Sequence, residues 1–198
     1  MAKFYAVKKG KQVGIYNTWA ECKKQVDGYS GAVYKSFVTK EEAETFISDE
    51  KKVISEDGLI AYVDGSYNIK TKEYGYGCVI LEGQKVIKEL YGKGNHEDYV
   101  SMRNVAGEIF GSEVAIDYAI KHGYKAIYIY YDYEGVQKWA DGLWKANKIG
   151  TQRYQSIIKE FRKKIAIQFI KVLAHSGDFY NERADYLAKK AAGVINEN

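Results

Sequence analysis

Four carboxylates stand where a fold could deliver them to one cleft: Asp64, Glu108, Asp132 and Asp185. Asp64 follows Leu59-Ile60-Ala61-Tyr62-Val63, bulky residues with no helical period, and so reads as an acid closing a buried strand. In such a strand Ile60, Tyr62 and Asp64 share one face, and an acid beside an apolar face is costly unless something positive binds it. The competing reading is an Asp that only opens a turn with Gly65. Asp132 ends a second apolar strand, Lys125–Tyr131, in the same way. If the two strands are neighbours, both acids meet at one sheet edge, where ligands of α/β sheets bind. Acids gathered there repel one another unless divalent cations fill the space. Oxygen ligands without His or Cys pairs favour Mg²⁺, with Mn²⁺ as the alternative, over zinc. Two such ions close together promote in-line displacement at phosphorus.

The other two acids belong to helices. Glu108 lies near the start of an expected helix Arg103–His122, in which Val105, Ile109, Ile116 and Ile120 keep helical spacing. Asp185 lies in the last expected helix, Asn181–Ala192. The remaining pattern gives strands at Gly75–Leu81, Gln84–Tyr91 and Ile165–Val172, and helices at Glu134–Trp139 and Thr151–Lys163. That order predicts an α/β unit, a mixed five-stranded sheet with flanking helices. His175 sits in a Ser/Gly-containing loop before the last helix. An exposed loop His titrates near neutrality and suits proton handling, or it is simply surface.

Residues 1–48 read as a separate small unit. Phe4–Val7 and Val13–Tyr16 form a hairpin, and Thr18-Trp19-Ala20-Glu21 is a capping box opening a helix to about Val26. Ala32–Phe37 is a third strand, and Thr39-Lys40-Glu41-Glu42 a second capping box, giving a ββαβα order. Trp19, Tyr34 and Lys35 lie among Gly- and Lys-rich turns. Rings that pack on sugars or bases beside ammonium groups that meet phosphates make a nucleic-acid surface; rings buried as core are the alternative. Residues 49–57 are a charged linker whose short reach keeps two domains close, with residues 58–198 forming the second.

Composition sets the outer bounds. A chain of 198 residues with 46% hydrophobic and 15% aromatic content is globular rather than disordered. No apolar run approaches the ~18 residues of a membrane span, so a cytoplasmic protein without a membrane partner is expected. The net charge of +4 is unevenly spread: residues 1–40 hold eight Lys against Glu21 and Asp27, while residues 41–50 hold five acids. A basic lobe suggests a polyanionic partner, or else a solvated Lys-rich face. Cys22 and Cys78 fit neither a CxxC nor a zinc pattern and read as buried thiols.

Two resemblances sharpen this reading. Lys3-Phe4-Tyr5-Ala6-Val7, Gly14-Ile15-Tyr16, Thr18-Trp19 and Tyr34-Lys35-Ser36-Phe37 resemble the hybrid-binding domain at the N-terminus of many type 1 ribonucleases H. In that family the Trp and the aromatic–Lys pair contact the DNA strand of an RNA/DNA hybrid, which the resemblance maps onto Trp19, Tyr34 and Lys35, with Tyr5 a further contact. Ser36 stands where the family often has a second Lys. Tyr62-Val63-Asp64-Gly65-Ser66, Arg103-Asn104-Val105-Ala106-Gly107-Glu108, Tyr131-Asp132-Tyr133-Glu134-Gly135 and the stretch from His175 to Asp185 resemble, in order and spacing, the four acidic motifs of the same family.

The resemblance implies an endoribonuclease that cuts the RNA strand of RNA/DNA hybrids by two-metal-ion hydrolysis, leaving 5′-phosphate and 3′-hydroxyl ends. Asp64, Glu108, Asp132 and Asp185 would hold two Mg²⁺ (or Mn²⁺) ions. Asp64 would lie between them, Asp132 and Asp185 would serve one, and Glu108 the other. His175 would assist the reaction, and Ser66, Arg103 and Asn104 would meet the substrate. Arg103 stands where a Thr often holds a DNA phosphate, and Tyr133 replaces a frequent Ser. A monomer with no obligate protein partner is expected. The alternative is a hybrid- or duplex-binding protein with an inactive nuclease fold, and a second enzyme alternative is a broader or integrase-like nuclease with the same acidic cleft.

Overall fold

The computed structural model describes residues 3–47, 58–172 and 178–195. Its contacts divide the chain into two compact units, Met1–Ile54 and Ser55–Asn198. Each is built around its own sheet.

The first unit runs β1 (Phe4–Lys9), β2 (Gly14–Tyr16), α1 (Trp19–Val26), β3 (Val33–Phe37) and α2 (Lys40–Ile47). Its three strands pair antiparallel in the order β2-β1-β3. The capping box at α1 is formed. Thr18 Oγ1 accepts from the Glu21 N–H at 3.3 Å, and the Glu21 carboxylate accepts from the Thr18 N–H at 3.1 Å. The side chains of Glu41 and Glu42, half of the second expected box, lie outside the described residues. Strand alternation sends Val7 to one face, where it packs with Cys22 and Val26 of α1. Phe37 goes to the other face and meets Phe46 of α2, with ring centroids 5.3 Å apart.

The second unit runs β4 (Gly58–Asn68), β5 (Glu73–Glu82), β6 (Lys85–Gly94), α3 (Glu97–Val100), α4 (Asn104–Lys121), β7 (Ala126–Tyr131), α5 (Gly135–Ala140), α6 (Ile149–Phe161), β8 (Ala166–Lys171) and α7 (Phe179–Ala191). The sheet order is β6-β5-β4-β7-β8. The β6-β5-β4 pairs are antiparallel and the β4-β7-β8 pairs parallel, so the sheet is mixed. Helix α4 covers one face, its Ile109 joining Ala61, Val63 and Ile129 in one core; α7 covers the other, its Leu187 joining Tyr62, Val79 and Leu81. Among the described residues no helix is long and apolar enough to cross a membrane.

Three of the boundaries that depart from the sequence reading bear on the acidic residues or their neighbours. Asp64 does not close its strand: β4 continues to Asn68, because β5 pairs with it as far as Asn68↔Glu73. Helix α4 starts one residue later than expected, with Arg103 as its N-cap at φ 53° and ψ −129°. Helix α7 starts two residues earlier, because Asp178 caps it by accepting from the N–H groups of Tyr180 and Asn181 at 3.0 and 3.2 Å. The linker expected at residues 49–57 lies outside the described residues.

Candidate metal-binding site

The parallel ladder between β4 and β7 runs from Gly58↔Ala126 to Tyr62↔Tyr130. The same offset carried two residues further puts Asp64 opposite Asp132, the first residue past β7. The two acids therefore meet where the parallel pairing stops. Glu108 arrives from the first turns of α4. One carboxylate oxygen from each of Asp64, Glu108 and Asp132 lies within 4.8 Å of the others.

Close backbone packing makes this possible. A Cβ on Gly65 would sit 2.0 Å from the Asn104 carbonyl oxygen and 2.5 Å from the Glu108 nitrogen, so α4 rests directly on the strand backbone. Gly65 is thus an approach point for the helix, and the turn that the competing sequence reading gave it is absent. Gly77, paired with Asp64, does the same on the opposite face, where a Cβ would sit 2.1 Å from the Ala184 carbonyl oxygen of α7.

The electrostatics are those of a site short of positive charge. Glu108 is 1% exposed, and burial followed by the charges of Asp132 and Asp64 pushes its carboxyl well above the usual range. The Tyr133 N–H, donating to Glu108 Oε1 at 3.1 Å, opposes that shift. Asp64 is pushed up to about 7, first by burial and then by Asp132, with Asp185 adding to it. The Gly65 N–H, 2.6 Å from Asp64 Oδ1, and the Lys189 ammonium act against the rise. An all-oxygen donor set that resists ionisation until positive charge arrives fits a hard divalent cation.

Asp185 stands outside this trio. Its Oδ2 accepts from Lys189 Nζ at 2.6 Å, one helical turn along α7. Lys189 was not singled out in the sequence, although the Asp–Lys spacing of four on a helix is a legible signal. His175 lies outside the described residues. Ser66 is buried and paired with Gly75, two residues beyond Asp64. Arg103 and Asn104 are exposed at the start of α4.

In the first unit, Trp19 is 43% exposed and Tyr34 46% exposed, so neither is core. Trp19 lies 5.8 Å from the ring of Tyr5 and 5.7 Å from that of Tyr34, forming one aromatic surface. Lys35 is separated from it by strand alternation, its Nζ 5.6 Å from the Phe37 ring on the other face.

The second unit also holds a cavity of about 310 Å³, lined by Ser101, Met102, Tyr133 (the residue after Asp132), Trp139, Lys145 and Lys148 among others. No sequence pattern marks the cavity, which several separate segments assemble.

Comparison with known proteins gives a consistent picture. Residues 3–47 match the family model described as the Ribonuclease H1 N-terminal domain, and residues 56–193 match that of RNase H. A 44-residue stretch is 64% identical to a Ribonuclease H of Saccharomyces cerevisiae, covering 22% of this chain but only 13% of that protein. Ribonuclease H1 of Rattus norvegicus is 24% identical over 97% of this chain and 90% of its own length. Among solved structures, RNase H1 from the archaeon Halobacterium salinarum superposes with a TM-score of 0.58 at 22% identity, over 70% of this chain and 99% of that one. LC11-RNase H1 in complex with an RNA/DNA hybrid gives 0.57 at 17% identity, over 69% of this chain and 97% of that one.

Proposed function

The chain belongs to the ribonuclease H family, and from that premise we propose that it cleaves the RNA strand of RNA/DNA hybrids by two-metal-ion hydrolysis, leaving 5′-phosphate and 3′-hydroxyl ends. The observation behind this reading is the convergence of Asp64, Glu108 and Asp132 within 4.8 Å at the end of the parallel ladder. Asp64, Asp132 and Glu108 would hold Mg²⁺ or Mn²⁺, and Asp185 would join them as its pairing with Lys189 yields to the cations. When bound, the cations neutralise charge at the phosphoryl group and lower the pKa of water. The chain's own part is to fix the carboxylates. The Gly65 and Tyr133 peptide N–H groups orient Asp64 and Glu108, and the packing of α4 on Gly65 sets their separation.

Substrate choice follows from the 2′-hydroxyl, which both donates and accepts. Glu108 and the Asn104 region would read it, with Ser66 as a neighbouring contact. Arg103 is exposed and forms no ion pair among the described residues, leaving its guanidinium free for a DNA phosphate. His175 would handle protons.

Residues 1–48 form the hybrid-binding domain, residues 49–57 the tether and residues 58–198 the catalytic domain in this reading. The Tyr5–Trp19–Tyr34 surface would pack on the DNA strand, with Lys35 reaching a phosphate. A monomer acting in the cytoplasm is the simplest setting.

Labelled hybrid, duplex RNA and duplex DNA, each incubated with Mg²⁺ and with chelator, test this function. Cleavage of the RNA in the hybrid alone, abolished by chelator, is the expected result. Hybrid binding without cleavage would identify an inactive binder, and cleavage of duplex DNA a broader nuclease.

A further inference from the structure

Tyr133 joins two parts of the catalytic unit that lie apart in the chain. Its peptide N–H donates to Glu108 Oε1 at 3.1 Å. Its ring lies 6.0 Å from Trp139 and 6.3 Å from Trp144, and those two indoles meet edge to face at 5.6 Å. The same ring forms part of the wall of the 310 Å³ cavity, with Trp139, Met102 and Val105 as apolar neighbours and Lys145 and Lys148 supplying charge. Packing at the ring is tight. A Cβ on Gly135 would sit 2.3 Å from Tyr133 Cε1 and 2.5 Å from Trp139 Cζ3. Among the described residues the Tyr133 hydroxyl has no hydrogen-bond partner, so the ring's position is set by shape.

We propose that Tyr133 is a positioning residue for hybrid cleavage: its ring, wedged against Trp139 and Trp144, fixes the peptide that aims the Glu108 carboxylate at Asp132. A ring and a peptide on one residue move together, since side-chain torsion and backbone are coupled by sterics. A ligand in the cavity that shifts the ring would therefore also shift the peptide that holds Glu108. This inference rests on the proposed nuclease reading, while one arm of its test does not.

The test compares Tyr133→Ala, Tyr133→Phe, Gly135→Ala and Lys145→Ala in the full chain. kcat and KM are measured on hybrid, and Mn²⁺ affinity is measured by spin-resonance titration without nucleic acid. Tyr133→Ala is expected to lower kcat and Mn²⁺ affinity by about tenfold each, the loss usual for groups that orient a metal ligand. Tyr133→Phe, which keeps the ring, restores both. Lys145→Ala, which removes cavity charge and leaves the Tyr133 ring and peptide intact, raises KM without lowering Mn²⁺ affinity. Gly135→Ala displaces the ring by another route and is expected to reproduce Tyr133→Ala, which keeps the inference testable if the latter fails to fold. Wild-type kcat and Mn²⁺ affinity in folded Tyr133→Ala and Gly135→Ala, or no restoration by Phe, overturns the proposal. Failure of the wild type to cleave hybrid overturns the nuclease reading instead, and the Mn²⁺ titration still reports on Tyr133.

Discussion

Gly65→Ala isolates the contact on which the acidic cluster depends. The new Cβ would meet the Asn104 carbonyl oxygen at 2.0 Å and the Glu108 nitrogen at 2.5 Å. Both are backbone atoms, so no side chain can swing aside. Opening the nearer contact to 3.0 Å moves α4 off the strand by about 1 Å. Glu108 Oε1 now lies 3.1 Å from the Tyr133 N–H, and the same displacement puts it beyond hydrogen-bond reach. A misplacement of about 1 Å at a reacting site costs roughly 100-fold in rate, or about 2.7 kcal/mol of barrier. Alanine in place of glycine would by itself stabilise the strand by about 0.5–1 kcal/mol. Overpacking costs about 1–3 kcal/mol, so the steric effect wins and the midpoint falls by several degrees. The assay is single-turnover cleavage at saturating hybrid beside calorimetric unfolding. Gly111→Ala is the control on the same helix: its nearest contact is an ordinary 3.4 Å, and it is expected to keep full activity and to gain stability from helix propensity. A Gly65→Ala enzyme within about threefold of wild type, with an unchanged midpoint, would refute the close packing of α4 on β4 as the determinant of the site.

Asp132→Asn is expected to abolish cleavage while hybrid binding, measured by fluorescence anisotropy, persists; near-wild-type turnover would remove Asp132 from the site. Without divalent cation, Asp64 titrates at about 7 in the folded chain against 3.8 for the unfolded group. Its folded pKa is raised, so its stabilising effect is full below about pH 4 and is lost as pH rises towards 7, by up to about 4 kcal/mol. Burial, Asp132 and Asp185 oppose its ionisation and the Gly65 N–H and Lys189 favour it, so Mg²⁺ should raise the unfolding midpoint more at pH 8 than at pH 5; an equal or reversed effect counts against the cluster as a cation site. Arg103→Gly removes a residue held at φ 53°, a strain of about 1–3 kcal/mol, and should raise stability by about 1 kcal/mol while increasing KM. Trp19→Ala should raise KM on long hybrids and leave the maximal rate nearly unchanged; an unaltered KM would disconnect the aromatic surface from binding.

Residue types and their spacing pointed to Asp64, Glu108 and Asp132, to the order of strands and helices in both units apart from the short α3, and to the exposed rings of Trp19 and Tyr34. Those features are local: an alternating or 3.6-residue pattern reports which face of an element is buried. The pattern does not report which strand lies beside which, or at what offset. The β4–β7 register that sets Asp64 against Asp132 is a long-range pairing, and the continuation of β4 past Asp64 depends on β5. Gly65 looks like a turn residue in the sequence because its contact partners, Asn104 and Glu108, are some forty positions away. Tyr133 reads only as a substitution beside an acid until its peptide meets Glu108 and its ring meets two tryptophans. The chemistry of the site was thus written in side-chain identity, whereas its geometry was decided by backbone packing between segments remote in the chain.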